Sequence, residues 1–184
     1  MGGYEAVFAD RGAAYDAAMQ ACPDARGLEF LQLVRRAGPR AGQIVADVPA
    51  GGGYLKRYLP QGVRWWGHEP CGSFNGAARV EPTNELLPLP WAPDSVDLAV
   101  SLAGVHHMQD KTSFFGAVRE VVKPGGRFVL SDVAEGSPVA AFLDGFIGAH
   151  NSTGHVGNYL GEDTLTELDA CGWSVKTREQ VDFH

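Results

Sequence analysis

Two groups of residues in this chain have types and spacings suited to chemistry. The first is Asp47-Val48-Pro49-Ala50-Gly51-Gly52-Gly53, followed by Glu69. Glycines at 51 and 53 let the backbone approach a ligand closely, and a helix start just beyond them offers unpaired N–H groups. A carboxylate about 20 residues further on falls at the end of the neighbouring strand, where it can accept from both hydroxyls of a ribose. Together these predict a bound nucleoside. The second group is His106-His107 with Asp110, joined later by His150, His155 and Tyr159 in one polar, glycine-broken run. An imidazole near neutral pKa is poised for proton transfer, and it can equally brace a loop through a backbone carbonyl. As metal ligands the adjacent histidines lack partners at helical or loop spacing, so no metal is expected.

The elements that must position these groups follow from periodicity and punctuation. Ile44–Val48 is a short β-branched run, a buried parallel strand, and Tyr54–Leu59 after the glycines reads as helix. Val63–Glu69 is a second strand, with His68 a solvent-side neighbour of the carboxylate. Residues 70–77 are too few for a crossover helix, which needs about 10–12 residues, so a single turn is expected before a short strand at 78–80. Val96–Val100 ends at Leu102 in a small-residue loop, the place where an open α/β sheet puts ligands. Lys111–Val122 is a helix with Phe114, Phe115 and Val118 inward, and Arg127–Val133 is the next strand. Ser137-Pro138 opens another helix, and Thr164 with Glu167 reads as the capping-box start of a last one, before a final strand at Trp173–Arg178. Residues 4–36 form two helical pieces, the second starting at Pro23-Asp24. The alternation predicts an α/β fold, a doubly wound, mostly parallel sheet with helices on both faces. One domain is expected, with residues 1–39 an N-terminal helical cap and 40–184 the cofactor-binding part.

Composition narrows the function. A net charge of −7 gives no broad basic field for nucleic acid or an anionic membrane. Cys22, Cys71 and Cys171 are an odd set at unrelated spacings, suited to reduced thiols rather than a disulfide framework. With no apolar leader in residues 1–20 and no run long enough to span a bilayer, the chain reads as cytoplasmic. A dinucleotide fingerprint would need a third glycine where Lys56 stands, and the Gly-Lys-Ser/Thr of a phosphate loop is absent.

The glycine stretch resembles the first motif of class I S-adenosylmethionine (SAM) dependent methyltransferases, an acidic residue followed by Gly-x-Gly-x-Gly, with Pro49 where the first glycine usually stands. Gly67-His68-Glu69-Pro70 resembles the second motif. Arg119-Glu120-Val121-Val122-Lys123-Pro124-Gly125-Gly126-Arg127 resembles the family's helix, turn and strand almost residue for residue. The paired histidines resemble the ubiquinone/menaquinone-biosynthesis branch and its small-molecule relatives. The resemblance implies transfer of the SAM methyl group to a small-molecule acceptor. It assigns the ribose to Glu69 and the methionine part to the loop Asp47, Pro49, Ala50, Gly51 and Gly53, with Leu102 beside it. Glu85, or Asn84, would meet the adenine, with Trp91 stacked on it, and Arg11 or Tyr15 would reach the methionine carboxylate. It leaves the catalytic group open among His106, His107, His150, His155 and Tyr159, and places the polar run 150–159 in the acceptor pocket. The family's closing antiparallel strand is missing here, so a truncated C-terminus or a homodimer across that sheet edge is expected. A non-catalytic, methyltransferase-like binding module is the alternative.

Overall fold

A computed structural model describes residues 3–74, 85–151 and 154–181. Its centre is β1 (Ile44–Asp47), buried at every position. A strand with both faces covered has no polar side to spare, which is why this run is continuous rather than alternating. On one face Val45 packs with Phe30, Leu33 and Leu55; on the other Ile44 and Ala46 meet Phe114, Phe115 and Val118. The remaining strands are β2 (Arg64–Gly67), β3 (Val96–Leu102) and β4 (Val122–Ser131), parallel and ordered β2-β1-β3-β4. The chain moves outward from β1 to β2, then returns to the other side of β1. The direction of winding therefore reverses between β1 and β3, and an open α/β sheet leaves a crevice beyond the strand ends at that point.

Two helices precede the sheet, α1 (Tyr4–Ala21) and α2 (Gly27–Ala37), the latter closed by Gly38 in the left-handed region. The second starts three residues later than Asp24. Helix α3 (Lys111–Val121) is capped by the Asp110 carboxylate, which accepts from Ser113 N at 3.0 Å. Residues 138–150 are one continuous helical stretch, α4 (Pro138–Phe142), a π-turn at Leu143–Ile147 and α5 (Gly148–His150), with Ser137 as its N-cap. Helix α6 (Glu162–Ala170) begins earlier than expected: Gly161 is its N-cap, and the Thr164 hydroxyl accepts from Gly161 N at 3.2 Å. Among the described residues no helix is long and apolar enough to cross a membrane.

Two expected elements differ. Tyr54–Tyr58 is a 3₁₀ turn, not an α-helix, because Pro60 forces Leu59 into extended backbone after five residues. Trp173–Arg178 is not a strand. Trp173 donates through Nε1 to Phe115 O at 3.0 Å and lies under Arg119, while Glu179 pairs with Arg36 of α2, so side chains at its two ends hold the segment and its backbone joins no sheet. Residues 78–80, expected as a short strand, lie outside the described residues, as does Asn84.

Register between β3 and β4 jumps from Val96↔Val122 to Leu98↔Arg127, so Lys123-Pro124-Gly125-Gly126 is accommodated as an irregularity in the pairing. Asp97 fastens this corner. Its carboxylate accepts from Ile44 N at 2.7 Å and from Lys123 Nζ at 2.6 Å, and these bonds hold its pKa below the usual carboxylate value. Removing it leaves the N–H of buried Ile44 without its acceptor. Asp97→Ala should therefore lower the unfolding free energy by about 1–3 kcal/mol in urea melts at pH 7, and Asp97→Asn by less, because the amide oxygen still accepts.

Candidate active site

The crevice at the β1/β3 ends is built from two loops that nearly touch. After β1 the chain turns through Gly51 (φ 53°) and Gly53 (φ 78°), backbone values that side-chain-bearing residues rarely adopt. After β3 it turns at Ala103 and Gly104, where an added Cβ would lie 2.5 Å from Pro49 Cγ. Pro49 thus sets the spacing between the loops, and Gly104 is the residue that permits it.

Glu69 joins the glycine loop to the next strand. Its carboxylate accepts from Gly51 N at 2.9 Å, from Cys71 N at 2.9 Å and from Tyr4 OH at 2.7 Å. Burial raises its pKa, and the three donors oppose that rise. Asp47 is buried beside it and accepts from Trp65 Nε1 at 3.1 Å. Burial pushes its pKa up to about 7, the Trp65 bond opposes this, and the nearby Glu69 charge adds to it. Two carboxyls in one desolvated pocket make the site favour a cation. His68, expected on the solvent side, is instead fully buried. Its Nε2 lies 3.1 Å from Leu86 O and its ring meets Trp91 edge-on, so it fixes the segment behind the site.

A cavity of about 50 Å³ lies in the crevice, and Asp47, Pro49, Ala50, Gly51, Tyr15 and Leu102 are among its lining residues. Tyr4, Phe8 and Phe74 fill much of the remaining space. Gly53 and Glu69 bound the loop without lining this cavity. Of the two residues expected at the methionine carboxylate, Tyr15 is present and Arg11 is not. Arg11 donates to Gly154 O on the far side, and Arg26 is the cation on the wall, bonded to Tyr15 OH at 2.5 Å and paired with Glu29. The pairing of Arg26 with Glu29 three residues on was visible in the sequence, but it reads equally as a surface helix pair. Glu85 is exposed and outside the cavity lining. Trp91 is in the core, packed on Trp66, and cannot stack on a ligand in the crevice.

The histidines divide. His106 and His107 form a 3₁₀ turn after Gly104, with ring centroids 4.0 Å apart, and His155 comes to 5.6 and 5.4 Å from them. His106 Nδ1 lies 2.6 Å from Asp132 Oδ1, and His155 Nδ1 lies 3.0 Å from Asp144 Oδ1. Tyr159 joins them, its hydroxyl donating to Asp144 at 2.6 Å. His150 is elsewhere, exposed and stacked on Phe146. Burial, then the charges of His106, His155 and Arg11, push His107 down to about 3, so its ring is neutral near pH 7 and a weak base. The close approach of His155 was invisible in local spacing.

A doubly wound parallel sheet, a glycine loop at its switch point and a carboxylate ending the adjacent strand make a fold shared with solved SAM-dependent methyltransferases. Residues 46–130 match the family model described as a methyltransferase domain. An uncharacterized protein of Escherichia coli, YafE, is 34% identical over 82 residues, 44% of this chain and 40% of that protein. The chain thus spans well under half of that relative's length. A SAM-dependent methyltransferase of Thermotoga maritima, described as a possible histamine N-methyltransferase, superposes with a TM-score of 0.71 at 16% identity, covering 94% of this chain and 82% of that one. A phosphoethanolamine N-methyltransferase of Haemonchus contortus, solved in complex with SAM, gives 0.60 at 17% identity over 78% of this chain and 36% of that one. The family's cofactor is SAM.

The Asp47 carboxyl has a testable consequence. Its folded-state pKa of about 7 stands above its ordinary 3.8, so the folded chain binds the proton more tightly than the unfolded chain. Its contribution to stability is present at low pH and is lost as pH rises through the window from about 4 to about 7. Asp47→Asn, whose amide oxygen can still accept from Trp65, should melt several degrees above the parent at pH 8. The gap should narrow toward pH 5 in thermal scans without ligand.

Proposed function

We propose that this chain binds SAM in the β1/β3 crevice and transfers its methyl group to a small-molecule acceptor. The observation that carries the reading is the bond between Gly51 N and Glu69: the glycine loop and the ribose-type carboxylate share one point in space. The donor set fits the cofactor. Glu69 offers acceptors for two ribose hydroxyls, the Gly51–Gly53 backbone can approach the methionine part, and the buried Asp47 carboxylate favours a positively charged ligand. Space is the condition. At about 50 Å³ the cavity is far below the roughly 300–1,000 Å³ typical of ligand sites, so the aromatic side of α1 must swing out. Bound SAM supplies a methyl group already activated on a sulfonium. The protein's work is then to align the acceptor and exclude water, which Tyr4, Phe8 and Phe74 can do by closing again. In this reading His155 and Tyr159 are the polar groups that would orient a small substrate. The homodimer expected across the open sheet belongs to this reading too, at the outer edge of β4, which pairs with no further strand among the described residues.

A non-catalytic binding module is the second reading, favoured by the hold of Tyr4 on Glu69 and the small cavity. Saturable calorimetric binding of SAM, with methyl transfer from labelled SAM to an acceptor, separates the two. Glu69→Gln should weaken SAM about 10–100-fold, the loss of a hydrogen bond to a charged acceptor; its single amide oxygen can replace only one of the two carboxylate oxygens that take Gly51 N and Cys71 N, so a melt without ligand checks that the variant stays folded. Full affinity in that variant would remove the ribose assignment. Tyr4→Phe should act in the opposite direction. It removes the hydroxyl that competes for Glu69, lowering the unliganded melting temperature and enlarging the shift that SAM produces.

A further inference from the structure

The structure assigns a metal site that local spacing did not reveal: we propose that His106, His107 and His155 bind one divalent transition-metal ion of the zinc, cobalt or nickel type. The proposal is independent of the cofactor reading, because its three ligands lie outside the β1 loop and do not touch Glu69. One ring nitrogen from each histidine lies within 4.8 Å of the other two. Three imidazoles form the donor set of borderline first-row ions, with bonds of about 2.0–2.1 Å. A tetrahedral ion with such bonds needs its ligand nitrogens about 3.3 Å apart, so the triad must close somewhat around the ion from its present spacing.

Two of the rings are held as metal-binding histidines usually are, by a carboxylate on the nitrogen that does not ligate. Asp132, whose side chain is fully buried, takes His106 Nδ1 at 2.6 Å while also accepting from Val105 N and Val133 N. Asp144 takes His155 Nδ1 at 3.0 Å and is itself fixed by Tyr159 OH. Both contacts leave Nε2 as the nitrogen to give. The loop carrying His155 is also anchored. Asn158 N donates to His106 O at 2.7 Å, Asn158 Nδ2 to Met108 O at 3.1 Å, and buried Lys111 donates to Asn158 Oδ1 and Tyr159 O. This gives a reason for burying Lys111: it pins the loop that brings the third ligand to the pair.

Charge around the site is mixed. The carboxylates of Asp132 and Asp144 lie behind the rings, and Arg11, bonded to Gly154 O, opposes them from the α1 side. Three protein ligands leave the fourth position of a tetrahedral ion to water or to a heteroatom of a small molecule. The His107 ring is 5.1 Å from Phe8, which lines the crevice cavity, so one aromatic ring separates the triad from it. An ion held there would also clip the 154–159 loop to the turn after β3.

The chelator-treated 184-residue chain, in a Cys22→Ser background to remove the exposed thiol, is titrated with Co²⁺. Expected are saturable binding of one ion per chain, visible absorption of a cobalt–imidazole site, and a rise in melting temperature reversed by chelator. His155→Gln and His107→Gln should lose the absorption, and Asp144→Asn should weaken binding about 10–100-fold. Melting without metal and calorimetry with SAM show whether each variant stays folded, and SAM binding reports the cofactor reading separately. Absence of a saturable site in the parent overturns the proposal whatever the variants do. So does a site whose affinity and spectrum survive both histidine substitutions.

Discussion

The Glu69 carboxylate is the point on which the crevice depends. Three donors converge on it from three separate stretches of chain: Gly51 from the loop after β1, Cys71 from the segment after β2, and Tyr4 from the first turn of α1. Each bond is of ordinary length, and burial makes each matter more, because a carboxylate out of water must be paired or protonated. The glycine loop therefore takes its shape partly from the group beside it, and α1 is tied to the sheet through Tyr4. Under the proposed ribose reading, a ligand would replace that bond, entry of the ligand and release of the helix would be one event, and stabilising the empty fold would weaken affinity.

The fold was legible because its signals are local. β1 is apolar at nearly every position and stops at an acid, α3 carries its inward residues at helical period, and Lys123-Pro124-Gly125-Gly126 marks a corner. The position of Glu69 beside the glycine loop was legible for a similar reason, since strand length and loop length fix how far a carboxylate must lie from the glycines. What failed required knowledge of three dimensions. His68 follows a half-exposed strand and reads as solvent-facing, yet Trp91 and Leu86 return from well beyond it to enclose the ring. Trp173 has the composition of a strand start, but its indole finds Phe115 O before its backbone finds an edge. Arg11 and Arg26 are both cations near aromatic residues in the helical cap, and only the packing of α1 decides which one faces the cavity.

The histidines show the same limit. Two adjacent imidazoles predict little, because both structural and chemical roles fit. Their third neighbour is placed by Asn158 and Lys111, residues with no chemistry of their own in the site, through hydrogen bonds across some 50 positions of sequence. Loop residues carry function when a rigid scaffold aims them. Here the scaffold is a buried ammonium and a side-chain amide.

The crevice is lined by the Asp47 carboxyl, and that charge bears on turnover under the methyl-transfer reading. Asp47, with a pKa near 7, is poised between charged and neutral. A cation beside it favours the ionised form, and a neutral ligand returns it toward the protonated form. Methyl transfer converts a sulfonium to a neutral thioether, so the attraction that Asp47 offers is strongest before the reaction and weakest after it. Tyr4 then meets a weaker competitor for Glu69 and can regain its bond there. The pair of buried acids, costly to the empty fold, thus favours the reactive ligand over the spent one without any group moving far.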